Sequence, residues 1–291
     1  MPEVADYATM TDREKYLFDL QGFLVVAGFL SKEEVKAIND ALDANEDRRG
    51  EFGPPHQTAE GLKGKWDIFR LYSGLLTWPK PWCQPFRDLL AHPKLIPYCN
   101  TIFGRGWRLD HGVDAASAVI GCSGLHLHGY GNAELDGSRY HKYQNGRIRC
   151  ALTVFQFQLA DVNPGDGGLV VIPGSHKANF PLPKHIRYYE YDREVVYNPT
   201  AKAGDMIIFN EATTHGTIPW KGKGERRVLF FRYVPKYFSW VPSTYQTSQP
   251  EWVSELTEAQ QAVLEPPYVY DHPLIEDDGE TVVRPRTDQS I

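Results

Sequence analysis

The sequence has few cysteines, no long apolar run and no excess of positive charge. Four cysteines are spread over 291 residues without a Cys-x-x-Cys pair, at Cys83, Cys99, Cys122 and Cys150. A disulfide scaffold or a cysteine metal cluster needs closer spacing, so we expect reduced thiols in the core. The apolar run at residues 22–30 is far shorter than the about 20 residues that a membrane-spanning helix requires.

The charge balance argues against a nucleic-acid partner. Lys plus Arg number 31 and Asp plus Glu number 37, which gives a net charge of -6, and no basic stripe runs along the chain. A nucleic-acid partner would need such a stripe to neutralise phosphates, so we expect none. Residues 1–13 are polar and acidic and lack the apolar segment of a signal peptide. We therefore expect a soluble cytoplasmic protein that does not bind a membrane.

Aromatic residues, by contrast, are plentiful. The chain has 16 Tyr, 14 Phe and 7 Trp, and 42% of its residues are hydrophobic. This composition suits a fold that fills a core and also lines a concave pocket. It predicts a small-molecule ligand.

The first part of the chain, residues 1–106, is predicted to be a mainly helical N-terminal wrap. Asp12 can cap a helix that ends at Gly22, and residues 23–26 are a strand-like apolar run. Ser31 and Glu34 form a capping-box pattern for a second helix. A polar loop is expected at residues 46–66, and short helices are expected at 86–91 and 95–103.

From about residue 107 the pattern changes to short runs of β-branched and aromatic residues separated by turn residues. Strands are predicted at 108–113, 115–120, 147–159, 168–172, 205–209 and 226–233. Strands at this spacing indicate an antiparallel sandwich or barrel. We expect a β core over residues 107–235 and an extension over 236–291, which has a short helix from Thr257 and an extended tail. The simplest organisation is a single domain over residues 1–291.

Histidines provide the chemical signal. His126 and His128 are two residues apart on a predicted strand, which places both on one face. A fold that brings His215 to this face could hold iron, zinc or copper, which imidazole suits. A non-haem Fe(II) oxygenase in particular uses two His and one carboxylate with the opposite positions open. The alternative is that some of them are ordinary hydrogen-bonded core histidines.

Longer motifs favour the first interpretation. The segment 167–176 reads Gly-Gly-x-x-x-Ile-Pro-Gly-Ser-His, and it is followed by Gly204-Asp205, His215 and Arg226. In this order the chain resembles the phytanoyl-CoA dioxygenase-like family of Fe(II)- and 2-oxoglutarate-dependent oxygenases over roughly residues 15–235. The resemblance implies an all-β core with flanking helices, folded as a double-stranded β-helix (jelly roll, cupin-like). It also implies Fe(II), 2-oxoglutarate and O2, with release of succinate and CO2.

The resemblance also assigns residues. His215 matches the distal iron ligand, and Arg226 matches the arginine that binds the far carboxylate of 2-oxoglutarate. A guanidinium clamps a carboxylate through two parallel hydrogen bonds. Arg227 is the alternative, although it should point to the other face of the strand. Thr153 and Gln156 are further candidates for contact with the cosubstrate.

The sequence departs from the family at the first half of the metal motif, which is normally His-x-Asp or His-x-Glu. In one register His126 is the family's histidine and His128 replaces the acid. In the other register His128 is the family's histidine and Tyr130 stands where the acid would be. We favour the second register, which makes His126 the alternative third ligand.

A missing acid could come from elsewhere in the chain. Glu134 and Asp136 follow His128, but we expect solvated loop acids there. Glu211 is the first candidate for a third ligand. Residues 211 and 215 on a straight strand would lie about 13 Å apart, so this assignment requires a bend between them.

The expected activity is oxidation of a small molecule, most simply hydroxylation. We expect Tyr130, Phe155 and Trp220 to line the substrate pocket, under a lid formed by residues 129–146. Two alternatives remain at this point. An iron site without a carboxylate could accept chloride and act as a halogenase, or the fold could be a non-catalytic or cupin-like binding module.

Overall fold

The computed structural model describes residues 10–52, 59–65, 69–129, 139–242 and 250–285. Its α-helices are α1 Asp12–Gln21, α2 Lys32–Asp43, α3 Gln84–Asp88, α4 Ile96–Phe103, α5 Lys184–Arg187 and α6 Glu258–Val263. Its strands are β1 Phe23–Val26, β2 Gly50–Phe52, β3 Phe69–Tyr72, β4 Trp107–Leu109, β5 Asp114–Ala118, β6 Leu125–His128, β7 His141–Gln144, β8 Arg147–Cys150, β9 Thr153–Gln158, β10 Gly168–Val171, β11 Met206–Asn210, β12 His215–Ile218, β13 Arg226–Pro235, β14 Leu274–Ile275 and β15 Val282–Val283. None of these helices is long and apolar enough to cross a membrane.

The N-terminal helix, strand and second helix form as the sequence predicts. Thr11, one residue before the predicted cap, accepts a hydrogen bond from the Glu14 backbone and so begins α1. Gly22 ends this helix in the left-handed conformation, with φ of 80°, which a residue without a Cβ adopts at little cost. Ser31 and Glu34 form the predicted capping box of α2.

The core is one large antiparallel sheet whose two faces differ. Its strand order is β1-β11-β9-β13-β5-β3-β2, and β4 also pairs with β13. Alternate residues of β9 point to opposite faces. Phe155 and Phe157 belong to the main apolar core together with residues of the helices. We call this the outer face of the large sheet, and the opposite face, which carries Val154 and Gln156, the inner face.

A small sheet packs on the inner face. Its order is β10-β12-β6, all antiparallel. Leu169 and Val171 of β10 form an apolar cluster with Val154, Ile207 and Phe209 of the large sheet. The structure therefore has the mostly antiparallel β core and flanking helices that the strand pattern predicts. The space between the two sheets is where functional side chains can meet.

Two predictions of local structure were wrong in part. The segment at 46–66 was expected to be a loop, but Gly50–Phe52 pairs with β3 as an edge strand. Its mixed polar sequence hides the strand because one face of this edge is exposed. The run at 147–159 was expected to be one strand, but it breaks at residues 151–152 into β8 and β9, which belong to different sheets.

The chain beyond β13 is held to the core by a buried ion pair. Arg108 donates to Asp110 at 3.3 Å and to the backbone carbonyl of Glu265 at 3.0 Å. Asp110 also accepts the backbone N–H of Trp240 at 2.8 Å. These bonds satisfy two buried charges, which would be costly without partners.

We expect Phe155→Ala to lower the free energy of unfolding by about 3–5 kcal/mol, because it leaves a cavity in the main core. The ring lies between those of Phe103 and Tyr233, at 6.5 and 5.4 Å between centroids. Urea denaturation measures the change. Phe180→Ala, at a ring that is 84% exposed, is the matched control and should change stability little. A stable Phe155→Ala variant with impaired turnover would instead place Phe155 in the pocket.

Candidate metal centre and active site

Two histidines meet on neighbouring strands of the small sheet. His215 of β12 is the cross-strand partner of His128 of β6 and of Val171 of β10. Cross-strand partners project from the same face, and Val171 packs against the large sheet. Both imidazoles therefore point into the space between the sheets, with ring centroids 4.2 Å apart.

A tight turn brings a carboxylate to the same place. After β11, the side chain of Asn210 accepts the N–H of Ala212 at 2.7 Å, and its backbone carbonyl accepts the N–H of Thr213 at 2.8 Å. The chain therefore reverses between Asn210 and His215 instead of continuing as a strand. Glu211 Oε1 lies 3.7 Å from His215 Nε2 as a result. This is the bend that a pairing of Glu211 with His215 requires.

The three side chains form a compact donor set. One ligand atom from each of His128, Glu211 and His215 lies within 4.8 Å of the others. The Nδ1–H of His215 donates to the carbonyl of Thr213 at 2.8 Å, and the Nδ1–H of His128 donates to the carbonyl of His126 at 3.1 Å. These bonds fix the tautomers and leave the Nε2 lone pairs for a metal ion. Two imidazoles and a carboxylate on one side match the donor preference of Fe(II).

Burial keeps His128 in the form that can bind a metal. Desolvation, followed by the proximity of His215, lowers the pKa of His128 to about 4, while Glu211 opposes the shift. At neutral pH the His128 imidazole is therefore uncharged. Protons compete weakly for its lone pair under these conditions.

Gly129 allows β6 to pass close to the turn that carries Glu211. Its φ is 135°, and a Cβ at this position would lie 2.7 Å from the carbonyl oxygen of Thr213. A larger residue would push His128 away from His215. The His-Gly sequence of the favoured register therefore has a steric reason in this chain.

A buried arginine occupies the inner face of the large sheet. Arg226 is 6% exposed, and its Nε has no hydrogen-bond partner among the residues that the structure describes. Burial lowers its pKa to about 10, so the guanidinium still carries its charge at neutral pH. A Cβ on Gly168 would lie 2.8 Å from Arg226 Nε, which shows that the guanidinium packs closely on β10.

Arg226 lies within reach of the histidines. Gly168 is three residues before Val171 on β10, and Val171 pairs with His215. Three residues along a strand span about 10 Å. Arg227 points to the outer face instead, where it pairs with Asp43 at 2.6 Å and Glu225 at 2.7 Å.

The two cosubstrate candidates on β9 are separated by the sheet. Gln156 is buried on the inner face, and its Nε2 has no partner among the described residues. Thr153 lies on the outer face, where its hydroxyl donates to the carbonyl of Ala151 at 3.1 Å and accepts from Asn210 at 3.3 Å. The two positions differ by an odd number of residues, so a flat strand cannot direct both towards one ligand.

The two described pocket candidates, Phe155 and Trp220, are not brought together with the histidines. Phe155 lies in the core on the outer face. Trp220 packs with Cys122 and Val162 in a separate cluster and donates its Nε1–H to the carbonyl of Gly224. Tyr130, Glu134 and Asp136 lie outside the described residues.

His126 is beside the donor set without being part of it. Its ring centroid is 5.9 Å from that of His128 and 6.2 Å from that of Tyr188. Its backbone carbonyl orients His128. The structure thus brings together His128, Glu211 and His215 in the described part of the chain.

Sequence reasoning missed two inner-face residues near this centre. Phe230 and Arg232 share the inner face of β13 with Arg226, because they alternate with it. The period of two along β13 carries this information. The family motif specifies only Arg226, the first residue of the strand, so it does not point to Phe230 or Arg232.

A family model connects this arrangement to known proteins. The model described as phytanoyl-CoA dioxygenase (PhyH) matches residues 124–228, a segment that contains His128, Glu211, His215 and Arg226. No protein of curated function matches the chain by sequence. The resemblance that the motifs indicate is confirmed.

Solved structures show where this fold occurs. HygX from Streptomyces hygroscopicus with nickel and 2-oxoglutarate bound is 27% identical, covers 79% of this chain and 88% of its own, and has a TM-score of 0.62. The HygX structure that also holds hygromycin B is 25% identical, covers 79% of this chain and 89% of its own, and has a TM-score of 0.62. The 2-oxoglutarate-dependent epimerase SnoN from nogalamycin biosynthesis shares the fold, at 16% identity, coverage of 78% and 83%, and a TM-score of 0.56.

We expect Asn210→Ala to weaken binding of a divalent metal about 10- to 100-fold, because the Asn210 side chain holds the turn that carries Glu211. Calorimetric titration with Mn(II) measures the affinity. Thr153→Val is the control, since it removes a partner of Asn210 but leaves the bond to Ala212. Equal metal affinity in Asn210→Ala and the wild type would show that the turn does not depend on this side chain.

Proposed function

We propose that this chain, which belongs to the phytanoyl-CoA dioxygenase family and is a non-haem Fe(II)- and 2-oxoglutarate-dependent oxygenase, hydroxylates a small molecule with release of succinate and CO2. The observation that carries the proposal is the cluster of His128, Glu211 and His215 between the two sheets. On this proposal the two sheets are the halves of a double-stranded β-helix, and the metal lies in its mouth.

The donor set fits Fe(II). Both Nε2 atoms are available because each Nδ1–H is already bonded to a backbone carbonyl. Glu211 supplies the carboxylate that the His-Gly-Tyr segment lacks. We propose that these three residues are the iron ligands and that they leave the opposite side of the ion for 2-oxoglutarate and O2.

The charge at Arg226 fits the cosubstrate. An isolated buried cation is costly, and a carboxylate would compensate it through two hydrogen bonds. We propose that Arg226 binds the far carboxylate of 2-oxoglutarate. The amide of Gln156, on the same face and also without a partner among the described residues, supplies a further donor.

Bound Fe(II) and 2-oxoglutarate would supply the oxidising chemistry, and the protein orients the ligand side chains and excludes water from the site. His126 and Thr213 hold the imidazoles at fixed angles through their carbonyls. The apolar cluster around Phe209 and Val171 excludes water from one side of the centre, which strengthens electrostatic contacts there.

The same cluster favours hydroxylation over the two alternatives. A halogenase-like site requires a centre that lacks a carboxylate, and we propose that Glu211, 3.7 Å from His215, supplies one. A binding module has no need for a preorganised donor set together with a buried arginine whose Nε has no partner in the described part of the chain. A small-molecule substrate is supported by HygX, whose structure holds hygromycin B.

We expect His128→Ala and His215→Ala each to abolish succinate formation from 2-oxoglutarate, because one imidazole and one carboxylate hold Fe(II) poorly. Glu211→Gln should weaken Fe(II) binding at least about 10- to 100-fold. His126→Ala is the control and should have a milder effect. A loss in His126→Ala as severe as that in His128→Ala would mean that the first register is the right one.

We expect Arg226→Ala to raise the 2-oxoglutarate concentration required for half-maximal turnover by about thirtyfold or more, since deletion of one member of a buried charge pair costs about 2–5 kcal/mol. Metal affinity should change little. Steady-state kinetics in 2-oxoglutarate measure this effect, with Arg227→Ala as the neighbouring control. If only Arg227→Ala were impaired, Arg227 and not Arg226 would be the arginine that binds 2-oxoglutarate.

A further inference from the structure

A second arginine lies on the inner face of β13, at the end of the strand nearer the metal ligands. Arg232 is the cross-strand partner of Val154, and Val154 is the partner of Phe209. Phe209 and Arg232 are therefore separated by one intervening strand, or about 10 Å. The ring of Phe209 is 4.7 Å from that of His215. Arg232 thus lies beside the metal centre on the same face as Arg226.

The two arginines differ in their surroundings. They are six residues apart, which corresponds to about 20 Å along the strand. Arg226 is 6% exposed, whereas the side chain of Arg232 is 22% exposed. Arg226 is therefore enclosed, whereas Arg232 is partly accessible to a ligand that comes from solvent.

Arg232 is held in one orientation, but most of its N–H donors are not used by the contacts that orient it. Its Nη1 donates to Asp114 Oδ2 at 3.3 Å, a long contact and its one hydrogen bond to the described residues. Its guanidinium also lies 5.0 Å from the centre of the Phe230 ring. A guanidinium has five N–H donors, so several remain for a ligand. The aromatic ring and the carboxylate together hold its plane in one direction.

We infer that Arg232 recognises an anionic group of the substrate, a carboxylate or a group of similar geometry, and that Asp114 and Phe230 position it for this role. This inference rests on the proposed function. An inward-facing ion pair with no ligand stabilises a fold less than apolar residues of similar size. The cosubstrate does not need this cation, because Arg226 is available for its far carboxylate. The substrate class is thus a small organic anion.

The test uses trifluoroacetate as the probe and trifluoroethanol as its neutral match. With Mn(II) and saturating 2-oxoglutarate bound, fluorine relaxation reports how closely each probe approaches the metal. We expect trifluoroacetate to be relaxed about tenfold more strongly than trifluoroethanol in the wild type, as one charge-assisted contact allows. Arg232→Gln should remove the difference. Arg227→Gln, on the outer face of the same strand, should retain it.

Asp114→Asn separates recognition from a purely structural ion pair. The Asn side-chain oxygen still accepts a hydrogen bond from Arg232 and so keeps it oriented. Only the negative charge is removed, which leaves the Arg232 cation unneutralised, so trifluoroacetate should bind as well or better. If the ion pair were purely structural, Arg232→Gln and Asp114→Asn would lower stability equally, and the fluorine relaxation of trifluoroacetate would not change in either variant. Persistence of the trifluoroacetate signal in Arg232→Gln, or equal signals from both probes in the wild type, would overturn the inference.

The Mn(II) titration is performed first, on the wild type and on Arg232→Gln. Absence of Mn(II) binding by the wild type would refute the proposed metal centre. Normal Mn(II) binding without an Arg232-dependent probe signal would refute the present inference alone. Equal Mn(II) affinity in the two proteins shows that the variant is folded.

Discussion

The cross-strand pairing of His128 with His215 is the interaction on which the candidate site depends. It places two imidazoles 4.2 Å apart between centroids and directs them towards the large sheet. Glu211 reaches this pair through a local reversal of the chain, which Asn210 holds through its bond to Ala212. If Glu211 is the third ligand, as we propose, the carboxylate comes from beside the distal histidine, and the family's usual position for it can hold another residue.

The alternation of β13 divides its charges between two faces. Arg226 and Arg232 project inward, whereas Arg227 projects outward to Asp43 and Glu225. Because a strand repeats every two residues, a shift of one residue would exchange these roles. The pairing of β13 with β5 and β9 fixes the register over many residues. On the two proposals made above, one strand therefore carries the cation for the cosubstrate and the cation for the substrate without contact between them.

The sequence was sufficient for the helices with capping signals and for the buried strands. Thr11, Ser31 and Thr257 carry local capping patterns that act over four residues, and each begins a helix. The edge strand Gly50–Phe52 was missed because half-exposed strands lack a strong apolar pattern. Thr153 was grouped with Gln156 as a contact of the cosubstrate, although the period of two places them on opposite faces. A bend near Glu211 could be expected from the strand end before it, but its geometry could not, since it depends on a side-chain bond of Asn210.

The end of α1 connects the N-terminal helix to the metal centre. The carbonyl of Gly22 accepts the hydroxyl of Thr213 at 2.8 Å, and the carbonyl of Gln21 accepts the N–H of Gly174 at 2.8 Å. The last carbonyls of a helix have no hydrogen-bond partner within the helix. Here the donors come from the turn that carries Glu211 and from the loop after β10. Fraying of α1 would break both of these hydrogen bonds, so we expect the helix and the turn that carries Glu211 to open as one cooperative unit. Backbone amides of these distant segments should then share one rate of hydrogen exchange, and a metal ion held by the turn would slow it in the helix as well.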